Sequence, residues 1–200
     1  MIASLVSFKR RFPGLWHRVE DVNGILFRVL HGRLQEVADE VLARQAVEGF
    51  LFSRVETTDL PVLEQFLAAQ PADNLRWFSP HAFDAKTLRR LYSNPSFLMM
   101  KVTSPEGTMA GYFFLRCFFI GRAFAGLIVD KRYQNRGIGS RIWACCAAIC
   151  SKARLKMQAT ISPENLPSVH SCRNGTEITQ VTDLDNGYQA VDCHPREQAF

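Results

Sequence analysis

The chain has 200 residues, 47% of them apolar, which suits one domain with an appendage and allows a sizeable core. Its formal charge of +5 fits an anionic ligand and is too diffuse to argue for nucleic acid as a partner. No apolar run reaches ~18 residues, which excludes a spanning helix, and the apolar start at Met1 to Phe8 precedes its basic cluster Lys9-Arg10-Arg11, the reverse of a secretory signal.

Residues 1–49 differ from the rest. Pro13-Gly14 and Asn23-Gly24 read as punctuation. Ile25, Val29 and Leu30, then Leu34, Val37, Val41 and Leu42, recur at helical spacing. The first eighteen residues carry Lys9, Arg10, Arg11 and Arg18 and no acid, and Phe8, Phe12, Leu15 and Trp16 among them would suit peripheral contact with an anionic membrane. No long, strongly basic helix face is visible. The preferred expectation is therefore a helical extension packed on its own domain or on a second copy, as a homodimer.

The pattern changes at Phe50. Phe50 to Val55 reads as a strand. Thr58 or Asp59 caps a helix with proline in its first turn and Leu63, Phe66 and Leu67 on its buried side. Pro71 to Phe83 is irregular and aromatic. Asp84 caps a second helix through Leu88 and Leu91, which Asn94-Pro95 ends. Strands follow at Phe97 to Val102 and at Met109 to Phe119, joined by the turn Ser104-Pro105-Glu106-Gly107. After Ile120-Gly121-Arg122 a strand returns and ends at Val129.

The stretch Val129 to Ser140 then joins that strand to a helix, Arg141 to Leu155, marked by Ile142, Cys146, Ile149 and Ala153. Gly137 and Gly139 remove two side chains where the helix begins. Free N–H groups and the positive end of the helix dipole then face a ligand at close range, which suits a phosphate. Lys131, Arg132, Arg136 and Arg141 add charge. A Walker loop is excluded because Ser140-Arg141 stands where Lys-Ser/Thr is required, and a dinucleotide loop because a third glycine is missing. What remains is Gln/Arg-x-x-Gly-x-Gly/Ala, met by Gln134, Gly137 and Gly139.

Beyond it, Lys156 to Ile161 is a strand, Ser162-Pro163-Glu164-Asn165 a turn and Leu166 to Cys172 a short helix. Thr176 to Val181 and Tyr188 to Cys193 form a hairpin. The six cysteines, Cys117, Cys145, Cys146, Cys150, Cys172 and Cys193, include no C-x-x-C pair. They fit neither a disulfide framework nor a zinc site, and read as small buried residues in a reducing, cytoplasmic setting with no metal.

The loop resembles the acetyl-CoA pyrophosphate loop of the GNAT superfamily, the GCN5-related N-acetyltransferases. The element order β-α-α-β-β-β-loop-α-β-α-β-β from Phe50 to the end is the order of that fold, and a strand followed by Thr57-x-Asp59-Leu60 is how many of its members open. The resemblance implies an α/β (α+β) domain over 50–200, with a mixed, mostly antiparallel sheet of about seven strands flanked by helices and the 1–49 helical extension in front. It implies N-acetyl transfer from acetyl-CoA, as co-substrate, to the primary amine of a small-molecule or protein acceptor by direct attack in a ternary complex. The alternative is a CoA-binding module without catalysis, acting as a scaffold.

By the same resemblance, two strands splay around the cofactor. The backbone of Leu127, Ile128 and Val129 would meet the pantetheine arm, with Gly126 marking a bulge. The N–H groups of Gln134, Asn135, Arg136, Gly137, Ile138, Gly139 and Ser140 would hold the pyrophosphate, beside Arg141, and Asn165 would touch the cofactor. Many relatives carry a tyrosine acid in the helix after Asn165. Counting from Asn165 puts Cys172 in that place, and counting back from Gly175 puts Ser171. The fourth strand lacks a glutamate base, leaving a water relay or His81. Trp77, Phe78, His81 and Phe83 are the expected acceptor wall, although such aromatics could equally plug the core.

Overall fold

The structure is a computed structural model that describes residues 13–196. The basic and aromatic residues of the first twelve positions, and with them much of the proposed membrane contact, lie outside the described residues. Helix α1 (Pro13–His31) runs unbroken through Asn23-Gly24. The expected turn fails because tertiary contacts outweigh the helix propensity lost there. The Asn23 amide donates to the Cys117 carbonyl and to Ser96 Oγ, and its oxygen accepts the Phe119 N–H. Gly24 lies so close to Asn94 that a Cβ would sit 2.7 Å from Asn94 Oδ1.

Helix α2 (Leu34–Ala43) buries Leu34, Ala38, Val41 and Leu42, the three-to-four spacing read from the sequence. Strand β1 (Ala46–Val47) pairs with β2 (Phe50–Arg54) through a two-residue turn, Glu48-Gly49, with positive φ at both positions. The sequence marks no strand at 46–47, because two residues carry no periodicity.

Helix α3 (Leu60–Ala68) follows a 3₁₀ turn (Thr57–Asp59) whose start is tied by the Asp59 carboxylate accepting the Glu56 N–H. The irregular segment contains one short helix, α4 (Ala72–Leu75), which the sequence reading leaves out. Asp84 caps α5 (Ala85–Tyr92) by accepting the Thr87 N–H, as expected.

Strands β3 (Phe97–Thr103), β4 (Met109–Phe118) and β5 (Arg122–Val129) form an antiparallel meander. Helix α6 (Ile138–Lys152) starts three residues earlier than its spacing suggests, because Gly137 takes φ +76° and ends the loop at once. Then come β6 (Lys156–Ile161), α7 (Leu166–Gly175), β7 (Glu177–Asp183) and β8 (Gln189–His194).

The eight strands form one sheet in the order β1-β2-β3-β4-β5-β6-β8-β7, antiparallel except between β5 and β6. Along β4, Phe113, Leu115 and Cys117 enter a core with α1, α2 and α6, while Tyr112 and Phe114 enter a second core with α3 and α5. Period-two alternation thus places a helical layer on each face. The architecture is the mixed α/β fold expected, a mostly antiparallel sheet with flanking helices.

The parallel contact is short. Arg122 to Phe124 pair with Lys156 to Gln158, and pairing stops there, while β5 stays paired to β4 as far as Val129. From Ala125 onward one edge of β5 has no strand against it. Gly126 is not a bulge, because the β4–β5 register passes through it unbroken. Its glycine answers to packing instead: a Cβ there would lie 2.5 Å from Phe114 Cζ.

Candidate functional site

The open edge of β5 leads into a cleft of about 840 Å³ that ends at the N-terminus of α6. The Asp130 N–H donates to the Ala110 carbonyl. Antiparallel alternation then turns the N–H and C=O groups of Leu127 and Val129 away from β4, toward the cleft. The backbone of Ile128 points the other way and belongs to β4. Its side chain is buried under α3, so of the three residues expected to meet pantetheine, two present backbone groups and one does not.

The loop after β5 is held by Asp130. Its carboxylate accepts the Arg132 N–H at 2.9 Å, Arg132 Nε at 3.0 Å and Arg132 Nη2 at 2.9 Å, with the Gln70 amide at 3.4 Å. The guanidinium hydrogen bonds, aided by the backbone and Gln70 donors, hold the Asp130 carboxyl below its usual range. Stability from this group is therefore full above the unfolded value near pH 4, and is lost as pH falls through the lower folded value. Asp130→Asn should cost about 1–2 kcal/mol at pH 7, Arg132 being largely exposed. The gap to wild type in urea unfolding should close below pH 4. A gap that stays constant to pH 3 would remove Asp130 as the loop's anchor.

Asn135 (φ +61°) and Gly137 (φ +76°) both take left-handed backbone, which turns the loop sharply into α6. The first intrahelical bond there is from Arg141 N–H to the Gly137 carbonyl. The N–H groups of Ile138, Gly139 and Ser140 are left without partners inside the helix, facing the cleft end with the helix dipole behind them. Asn165 caps α7 by accepting the Ser168 N–H at 3.3 Å and also borders the cleft.

Ten of the twelve expected cofactor residues line the cleft; Arg136 and Arg141 do not. Arg136 stacks over Tyr133, and Arg141 donates to the Gln45 side chain. The expected ring of positive charge is partly neutralised, since Lys131 pairs with Asp73 and Arg132 with Asp130. At this end of the cleft the helix dipole and the N–H groups are left less neutralised than the side-chain charges.

The Gln134 side chain is engaged at the cleft wall, where it leaves the Val129 N–H but not its carbonyl open. It donates to the Val129 carbonyl at 3.1 Å and to Asn74 Oδ1 at 3.0 Å, and Asn74 donates to the same carbonyl. Helix α4 is thereby fastened across the mouth of the loop. At the other end of that segment Arg76 pairs with Glu164, and Trp77 meets Tyr188 edge-on at 6.3 Å. Asn74, Trp143 and Tyr188 border the cleft and were not foreseen. An aromatic next to the Asn186-Gly187 turn was the available signal for Tyr188. Nothing in the sequence marks the other two.

Helix α7 rests directly on the first turn of α6. Ser171 borders the cleft, accepting from Trp143 Nε1 at 3.2 Å and donating to the Ser168 carbonyl at 3.1 Å. Cys172 is one position on, about 100° around the helix, and faces the core. Its Sγ lies 3.7 Å from Cys193 Sγ and 3.6 Å from Thr176 Oγ1, away from the cleft. All six cysteines are buried and free, and burial pushes Cys145 and Cys150 up to about 12.

Trp77 and Phe78 line the cleft; His81 and Phe83 do not. His81 Nδ1 is 2.8 Å from the Ala82 carbonyl, to which it donates, and Nε2 shares a hydrogen bond with Tyr112 Oη at 3.2 Å. Burial pushes that phenol well above its ordinary range. The ring is packed among Phe83, Phe97, Tyr112 and Phe114, and Phe83 stacks on Phe78. Among the described residues no group of three or more His, Cys, Asp or Glu is placed to hold a metal ion, and no helix is long and apolar enough to cross a membrane.

A family model described as the acetyltransferase (GNAT) family matches residues 63–175. A search of the curated proteins finds no match. Similar solved structures include a ribosomal-protein-S5-alanine acetyltransferase from Vibrio fischeri, with TM-score 0.61, 14% identity, and 78% of this chain and 98% of that one covered. The structure titled AAC(6')-Ib in complex with paromomycin and acetyl-CoA gives TM-score 0.58 at 14% identity, over 76% of this chain and 96% of that one. A spermidine N-acetyltransferase chimera from Vibrio cholerae and hSSAT gives 0.56 at 15%, over 73% and 93%.

Proposed function

This chain belongs to the GNAT acetyltransferase family, and from that premise we propose that it moves an acetyl group from acetyl-CoA to a primary amine by direct attack in a ternary complex. One observation carries the reading: the unpaired edge of β5 runs straight to the free N–H groups at the start of α6. A thioester arm would lie along Leu127 and Val129, and its pyrophosphate would sit against Gly137 to Ser140, with Asn165 at the side. A β5 N–H near Val129 would polarise the thioester carbonyl. Residues 50–200 form the transferase domain in this reading and 1–49 its helical extension, in a cytoplasmic protein.

The acceptor enters beside Trp77, Phe78 and Tyr188. The acids near that wall, Asp73 and Glu164, are paired with Lys131 and Arg76. An aromatic wall with neutralised acids favours an amine borne on a flat or apolar group over a polycation. That similar structures include a ribosomal-protein-S5-alanine acetyltransferase, a paromomycin complex and a spermidine N-acetyltransferase supports an amine acceptor in general.

A specific observation favours a second reading, CoA binding without transfer. The Cys172 thiol faces the core and the Ser171 proton is given to a carbonyl, so neither is offered to a leaving thiolate as placed. His170 and Tyr188 are cleft-lining groups able to carry a proton instead. Release of free thiol from acetyl-CoA with an amine panel decides between them. Turnover with at least one amine supports the transferase; tight CoA binding with no turnover on any amine supports the silent module.

His81 takes part as a support for Phe78, through Phe83. His81→Ala should leave acetyl-CoA affinity unchanged and cost about 1–2 kcal/mol by stranding the buried Tyr112 hydroxyl. Adding Tyr112→Phe should recover much of that loss in a thermal-unfolding cycle. Simple additivity of the two changes would mean that the bond to Tyr112 contributes nothing.

A further inference from the structure

The outward face of α1 is apolar and bare. Val19, Val22, Ile25, Leu26, Val29 and Leu30 are 40% to 78% exposed, while Phe27 alone among the large apolar side chains of that stretch is buried. The apolar side chains cover far more of the helix circumference than the buried face uses, and such an excess is normally covered. Loose docking does not explain the exposure, because Asn23 and Gly24 fix the helix to β4 and to Asn94. Phe119 and Ile120, in the turn that Asn23 holds, extend the patch. Eight large apolar side chains exposed side by side form the kind of patch that marks an interaction surface.

We propose that this face docks on α1 of a second copy of the chain, antiparallel and about a two-fold axis near Gly24 and Ile25. The charges select this occupant. Asp21 and Arg28 are exposed, lie seven residues apart and flank the same side of the seam formed by Val22, Ile25 and Val29. An antiparallel pair sets Asp21 of each copy beside Arg28 of the other, so the surface complements itself twice, as a two-fold interface requires.

Sedimentation of the full chain should give twice the mass of one chain at micromolar concentration. Ile25→Asp should raise the dimer dissociation constant by at least about a hundredfold, since it would bury a charge, with the circular-dichroism spectrum unchanged and melting lowered only to the concentration-independent value of the monomer. Asp21→Arg should weaken the dimer, and adding Arg28→Asp should restore it. The native cysteines are buried, so an added thiol reports the register. Ile25→Cys, at the axis, should crosslink on mild oxidation. Val29→Cys should not, being about 13 Å from its equivalent at 1.5 Å rise per residue. A monomer at all concentrations, or a dimer unaffected by Ile25→Asp, overturns the proposal. So does equal crosslinking at both positions, or a monomer that pellets with phosphatidylserine vesicles.

Discussion

Gly137→Asp is expected to raise the acetyl-CoA dissociation constant by more than about a hundredfold while leaving the protein folded. Two effects act together. Gly137 is the residue before the first turn of α6, with φ +76° and no atom within 4 Å of a Cβ built on it. The new side chain therefore meets no clash in the free protein, and its left-handed backbone costs about 1–2 kcal/mol, less for Asp than for most residues. In the complex its carboxylate would stand against the pyrophosphate. A like charge at about 4 Å is worth about 4 kcal/mol at an effective dielectric of 20. The carboxylate could also accept the N–H groups of Gly139 and Ser140, taking the donors the anion needs. Gly137→Ala separates these effects, since it keeps the backbone strain and adds no charge; its affinity should fall far less. Calorimetry that finds wild-type affinity in a folded Gly137→Asp protein would detach the loop from cofactor binding.

This loop could be read from the sequence because its chemistry lies in the backbone. Two glycines at the end of an apolar run and the start of a helical one specify where N–H groups are exposed, whatever surrounds them. The apolar run from Met109 to Phe119 reads as a strand just as locally, but it carries no polar alternation, so the two cores on its faces emerge only in the fold. Side-chain roles were not local. Whether Ser171 or Cys172 borders the cleft depends on the helical phase of α7 against α6, and two counting rules one residue apart could not decide it. The structure brings Ser171 to the cleft and turns Cys172 into the core.

Three arrangements that the sequence does not mark share a cause. Ile25, Val29 and Leu30 have helical spacing, yet spacing does not say which apolar side faces in when both sides are apolar. Phe27 and Asn23 decide it, through contacts with residues some seventy to ninety positions away. Asn74 and Gln134 likewise meet only because α4 folds over the loop, sixty residues distant in sequence. His81 looked like a polar group offered to a pocket. Its partner proved to be a tyrosine hidden under the sheet.

The second large effect is expected at Gly175. A Cβ there would lie 2.1 Å from the Ser140 carbonyl oxygen, 3.0 Å from its carbon and 2.8 Å from Trp143 Cβ. These are backbone and Cβ atoms on the first turns of α6, with no flexible end that can swing aside. Alanine would gain up to about 1 kcal/mol of helix propensity over glycine, far too little to offset moving one helix off another. Helix α7 would have to shift away from α6, disturbing the Trp143–Ser171 bond and the Asn165 corner of the cleft. Gly175→Ala should cost about 3 kcal/mol, a fall of about 6–12 °C in Tm for a chain of this size. Acetyl-CoA affinity should fall with it, because Ser140 lies under Gly175 and also lines the cleft where the pyrophosphate is proposed to sit. Gly139→Ala is the graded companion: its Cβ would be 3.2 Å from Ser171 Cβ, an overlap that a shift of a few tenths of an ångström relieves. It should be milder in both readouts. Wild-type melting and affinity in Gly175→Ala would mean that the two helices do not approach as closely as the fold requires.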